Sequence, residues 1–179
     1  MKRRQDQELE TSDSQMEPTG IPDRAREFIS QVPLPHRSGQ NYKIILVAPE
    51  DIEPIWDQVV LHLDMAIAHS EGEMGAEDFY PYLMDGQMQL WVAINDGELD
   101  ASMVTQIIPY PRKRVLRIIS IAGDKMEQWI EFLPLIEGWA LSIGCTSLEC
   151  WGRKGWLKIL KDWKCSYHII TKDLTTRMH

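Results

Sequence analysis

Cysteine is scarce in this chain of 179 residues, and the three present do not pair off. Cys145, Cys150 and Cys165 make an odd count with no C-x-x-C spacing. A disulfide-stapled secreted scaffold is excluded, and the thiols read as free, largely buried groups in a reducing cytosol. No apolar run approaches the roughly 20 residues that a membrane-spanning helix needs. The opening Met1-Lys-Arg-Arg-Gln-Asp has no apolar stretch behind it and does not read as a secretory signal. Metal-site spacing is also missing. His62 and His69 stand seven apart, about 10 Å along a helix axis, with no carboxylate pair to complete a site. Ser120 has no G-x-S-x-G context, which removes the hydrolase elbow.

Basic charge is missing from one long stretch. Residues 41–100 hold Lys43 against thirteen acids, whereas residues 101–179 hold twelve bases against seven acids. One acidic face and one mildly basic face follow. The overall net charge of −8 argues against direct nucleic-acid binding, which needs a clustered basic surface.

What is present reads as alternating elements. Residues 42–47 (YKIILV) are β-branched and apolar, a strand. Ile52, Ile55, Trp56, Val59, Val60, Leu63 and Ile67 recur at helical spacing and predict a helix over 52–68. A short helix over 76–84 follows, then strands over 89–94 and 98–108 joined at Asn95-Asp96-Gly97, residues that tolerate positive φ. The remainder predicts a strand over 115–122, a helix over 126–143, a strand over 147–151, a helix over 154–163 and a strand over 167–174. The expected fold class is therefore α/β, in the order β-α-α-β-β-β-α-β-α-β. Its sheet is mixed and mostly antiparallel, with six to seven strands flanked by about four helices.

Two domain-level regions are expected, a polar tail over 1–40 and a folded domain over 41–179. The tail carries Pro18, Pro22, Pro33 and Pro35 and too little apolar surface to fold alone. Within it, Ala25, Phe28, Ile29 and Val32 form an apolar stripe over 23–32. Phe28 and Ile29 make that stripe a candidate docking element for a partner. Packing of the leader on its own domain is the alternative.

Several short motifs fall in a recognisable order: Val92-Ala93-Ile94, Asp96-Gly97, Pro109-Tyr110-Pro111-Arg112, Ile121-Ala122-Gly123, Trp139-Ala140 ahead of Gly144-Cys145, and Gly152-Arg153-Lys154-Gly155-Trp156. Together with the element order, over residues 42–174, they resemble the GNAT superfamily of acetyltransferases, and within it short phage-encoded members. The resemblance implies acyl transfer from acetyl-CoA to an amine. It places the pantetheine in a V between strands 115–122 and 147–151, against the backbone at Ile119 and Ile121. Gly123 and Lys125 would meet the pyrophosphate at a helix start, and Arg153 and Lys154 the 3′-phosphate.

The chain departs from that pattern at each chemical position. The phosphate loop, Ala122-Gly123-Asp124-Lys125-Met126-Glu127, carries carboxylates where a diphosphate would lie, and Asp124 reads as a helix cap. Leu160 stands where many members have a proton-donating Tyr, and Lys164-Cys165 replaces Gly-Phe. Glu149 is the remaining candidate base, against its reading as an outward strand residue. Trp151 and Trp156 flank the expected groove as interaction residues.

Two readings follow. In the first, the scaffold is catalytically degenerate, holds no cofactor and binds a protein partner. It would sit in the cytoplasm of a bacterial host or in a phage particle, against portal, tail or capsid proteins, away from membranes. In the second it is an active acetyl-CoA-dependent N-acyltransferase, with the acidic segment attracting a cationic acceptor.

Overall fold

The computed structural model describes residues 42–123, 130–152, 154–172 and 174. β1 (Tyr42–Val47) opens the domain. Two 3-10 turns, Pro49–Asp51 and Glu53–Ile55, lead into α1 (Trp56–Ile67). The predicted helix therefore starts four residues late. Pro49 and Pro54 donate no N–H, and a proline ring crowds the preceding turn, so regular α-helix begins past Pro54. A further 3-10 turn, Ala76–Asp78, feeds α2 (Phe79–Met84), and the Asp78 carboxylate accepts the Gly75 N–H at 2.8 Å.

Next come β2 (Met88–Asn95), β3 (Glu98–Tyr110) and β4 (Lys113–Gly123), each longer than the sequence pattern indicates. Asp96 and Gly97 make the β2–β3 turn with φ of 50° and 92°, the two left-handed positions that a tight hairpin requires. α3 (Leu133–Ser142) and β5 (Ser147–Cys150) complete the regular elements, with a 3-10 turn over Lys154–Lys158. Strand order is β1-β2-β3-β4-β5. The first four strands are antiparallel to their neighbours and β5 runs parallel to β4.

Alternation along the central strands splits the core in two. Trp91 and Ala93, with Ala101, Met103, Leu116 and Ile118, face Phe132, Ile136 and Trp139 on the α3 side. Leu90, Val92 and Val104 face Val59, Leu63, Phe79 and Leu83 on the α1 and α2 side. The Trp91 and Trp139 rings meet edge-on, centroids 5.0 Å apart. Trp91 Nε1 donates to Thr105 Oγ1 at 3.0 Å, and that hydroxyl donates to Gln89 Oε1 at 3.2 Å, so these buried polar groups satisfy one another.

Three expectations change. The helix expected over 126–143 is interrupted: among the described residues Ile130 is helical, Glu131 and Phe132 form a turn, and regular helix resumes at Leu133. Pro134 lies in its first turn, and an uninterrupted helix would drive that ring into the carbonyl of residue 130. The stretch 154–163 makes a five-residue 3-10 turn rather than a helix. Gly155 near its start raises the cost of nucleating so short a helix, and Leu160 is its one fully buried side chain among those described. Residues 164–172 form no strand, because Tyr167, Ile169 and Ile170 meet nothing that buries them. Among the described residues the sheet accordingly has five strands, not six or seven, with about three α-helices beside it. Of the three free thiols, Cys145 is buried, Cys150 half-buried and Cys165 exposed.

β4 stays paired to β3 up to its last residue, where Gly123 faces Ala101. Gly123 has φ of 140°, and a Cβ there would lie 2.0 Å from the Ala101 Cβ and 2.5 Å from the Asp100 carbonyl oxygen. Changing Gly123 to Ala should cost about 3 kcal/mol in urea unfolding, combining overpacking with a strained φ. A loss below about 0.5 kcal/mol would mean the strand end can open freely.

Tyr42 stacks on Phe132 at 5.3 Å, and its hydroxyl is buried without a partner among the described residues. Burial first, and the Asp100 carboxylate second, push its pKa from 10.0 up to about 12. The unfolded tyrosine ionises near its ordinary value while the folded one stays neutral. The stabilisation from this difference is therefore complete below pH 10 and lost as pH rises to about 12. Tyr42→Phe should keep neutral-pH stability within about 1 kcal/mol. It should also flatten the alkaline fall in urea midpoint; an unchanged alkaline slope would assign that fall to another group.

Candidate functional site

β4 and β5 part company halfway along. Their four paired positions run from Val115 opposite Ser147 to Ile118 opposite Cys150. β4 then continues through Ile119–Gly123 with β3 on one side and, among the described residues, no strand on the other. A register shift between Val104 and Thr105 leaves Ile119 as an extra residue in β4. A bulge of this kind bends and twists its strand at the place where β5 leaves it. Ile119 packs toward the α1-side core and Ile121 toward the α3-side core. The two residues expected to offer backbone to a pantetheine thus lie on the open stretch, with their side chains anchored on opposite faces.

The other expected residues divide. Gly123 ends the open stretch, but its lack of a side chain is required by the β3 backbone, independently of any phosphate. Asp100, the extra residue at a second bulge in β3, packs its carbonyl against Gly123. Asp100 Oδ2 is buried without a partner among the described residues. Lys125 and Arg153, like Phe28 and Ile29, lie outside the described residues, and Lys154 opens the 3-10 turn after β5.

Glu149, the candidate base, is tied down. Arg117 stands directly opposite it in the β4–β5 register, and Arg117 Nε donates to Glu149 Oε1 at 2.5 Å. The same guanidinium donates through Nη2 to Tyr110 Oη at 3.1 Å and lies 4.1 Å from the centre of the Trp151 ring. Lys113 caps the Tyr110 ring at 5.2 Å. Trp151 lies against the Arg117 guanidinium and remains largely exposed. Trp156 folds back over Gly152, where a Cβ would come within 2.9 Å of the indole. The two tryptophans therefore take different roles, one presented at the surface and one closing the chain on itself. Leu160 is buried, its N–H bonded to the Trp156 carbonyl at 2.8 Å, so no proton donor occupies that position.

One pairing was not foreseen from the sequence. His62 Nδ1 on α1 lies 3.2 Å from Ser102 Oγ on β3. Ser102 is buried and sits opposite Ala122, which brings the pair beside the open stretch of β4 on the α1 side. Neither residue belongs to a short motif; forty residues separate them, and only the packing of α1 on the sheet joins them.

No protein-family model and no curated protein matches the sequence. Solved structures match it by shape. An aminoglycoside acetyltransferase from an uncultured soil metagenomic sample, solved with sisomicin, aligns with a TM-score of 0.59 over 76% of this chain and 97% of its own, at 13% identity. Glucosamine-6-phosphate N-acetyltransferase from Arabidopsis thaliana aligns with a TM-score of 0.55 over 75% of this chain and 99% of its own, at 10% identity. A GNAT family acetyltransferase from Staphylococcus aureus gives 0.55 over 74% and 98%, at 12% identity. Identities this low speak of fold alone: the chain has the fold of the GNAT acetyltransferases.

Proposed function

We propose that this protein is a GNAT-fold binding protein in which acyl transfer has been lost. The observation that carries this reading is the Arg117–Glu149 pair. The one carboxylate on β5 is matched by a cation directly across the sheet, so it is committed to holding β5 on β4. The buried Leu160 supports it, since leucine cannot protonate a leaving thiolate. So does the end of β4, where the Asp100 carbonyl packs against Gly123 and the Asp100 carboxylate has a buried oxygen with no described partner, whereas a diphosphate would need positive charge. On this reading the partner is a protein, met by the exposed Trp151 and by the tail with Phe28 and Ile29. The resemblance to short phage-encoded members makes a phage particle assembled in a bacterial host the setting to test.

A second reading, an acetyl-CoA-dependent N-acyltransferase, is favoured by the open edge of β4 and by the His62–Ser102 pair beside it. The solved soil acetyltransferase binds sisomicin, an aminoglycoside. The thirteen acids of residues 41–100 would likewise attract a cationic amine here.

Calorimetry with acetyl-CoA and a thiol-release assay across polyamines, aminoglycosides and basic peptides separate the two. The binding-protein reading expects no heat, no thiol release above the uncatalysed rate, and co-sedimentation with purified particles. Turnover that disappears in His62→Ala would replace it with the transferase.

A further inference from the structure

Two features of the C-terminal half lack a counterpart within the described chain. One is the outer edge of β5. It is the last strand of the sheet, and no described strand pairs with it on the side away from β4. An edge of this kind presents unpaired N–H and C=O groups to any extended segment that reaches it.

The other is the segment that follows. Residues 167–174 read YHIITKDL, with no Pro, no Gly, three consecutive β-branched residues, and one Lys balanced by one Asp. That is strand composition with no net charge. Yet residues 167–172 are irregular, with Tyr167 90% and Ile170 93% exposed, and Ile169 and Leu174 exposed as well. The chain just before is anchored: Leu160 is buried, and Trp163 packs on the α3-side core and donates its N–H to the Leu160 carbonyl at 3.1 Å. From that anchor the segment leaves its own sheet instead of returning to it.

We propose that residues 167–172 complete the sheet of a second copy, pairing with the outer edge of its β5, and that the exchange is reciprocal. The same chain supplies a free edge and a free strand, the self-complementarity that a two-fold dimer needs. Reciprocity doubles the buried area, bringing a short strand of about six residues toward the roughly 1,200 Å² at which specific interfaces hold. Charge favours this edge over the other. β1 also ends the sheet, but it belongs to the segment with thirteen acids and a single lysine, so copies meeting there would repel. The exchange does not depend on whether coenzyme binds, and its failure would leave the functional reading where it stands.

The test is sedimentation velocity of the full chain over a wide concentration range, with backbone hydrogen exchange. A dimer is expected, with residues 147–150 and 167–172 protected together. Ile170→Lys removes no packing from a single copy, because that side chain is exposed. The variant should keep the wild-type circular dichroism, weaken dimerisation by roughly tenfold or more, and lose protection in both segments. Any of four results would overturn the proposal: a monomer at every concentration; a monomer with 167–172 protected, meaning the strand joins its own sheet; a dimer whose protection falls on 42–47; or a dimer indifferent to Ile170→Lys.

Discussion

The architecture of the candidate site rests on unequal pairing of β4. On one side β4 is held by β3 to its end at Gly123; on the other it is held by β5 for four residues only. The first constraint is steric, because the backbones of Gly123, Asp100 and Ala101 approach too closely to admit a Cβ. The second follows from the length of β5, which ends at Cys150, beside the bulge at Ile119. With one edge of β4 saturated and the other released halfway, the sheet opens at a fixed place. That opening is a property of the backbone, which explains how it coexists with different side-chain chemistry at 10–13% identity.

Arg117 and Glu149 sit where the two strands are still joined. An ion pair that is mostly shielded from water gives little net stability, but removing one partner leaves the other charge uncompensated. Glu149 is therefore better placed to fix β5 in register than to accept a proton. Tyr110 and Trp151 add to the same guanidinium from the hairpin side and the strand end. The result is a surface feature built from four residues on three elements and the loop after β5, with Trp151 exposed.

Much of this was legible in the sequence, and the exceptions are physical. The strands were readable because β-branched runs alternate between turn signals, and Asp96-Gly97 forms the expected hairpin with two positive φ angles. Helix continuity misled wherever a proline sat inside an apolar period, with a late start past Pro54 and a break just before Pro134, since periodicity registers the face of a helix but not a missing N–H. The last helix and strand misled for another reason. Local composition at 154–174 favours regular structure, but regular structure needs a surface to pack on, and the described residues supply one only as far as Trp163. At the site, the open edge was legible through the family pattern. The Arg117–Glu149 and His62–Ser102 contacts were not, because each depends on register or packing across thirty to forty residues.

Charge separates the inherited scaffold from inherited chemistry. A diphosphate needs donors and positive charge at the end of β4. The sequence follows Gly123 with Asp124, Lys125 and Glu127, and the fold brings the backbone carbonyl of Asp100 from β3 against Gly123. Asp100 could not be counted from the sequence, because only the β3 bulge brings it against Gly123. On the proposed binding reading, carboxylates that follow β4 in the sequence oppose an anion and favour a cation or nothing, since charges within a Debye length interact before salt can screen them. On that reading the open strand edge suits an extended chain better than a polyanionic coenzyme, because backbone amides and carbonyls answer the edge without bringing negative charge to it.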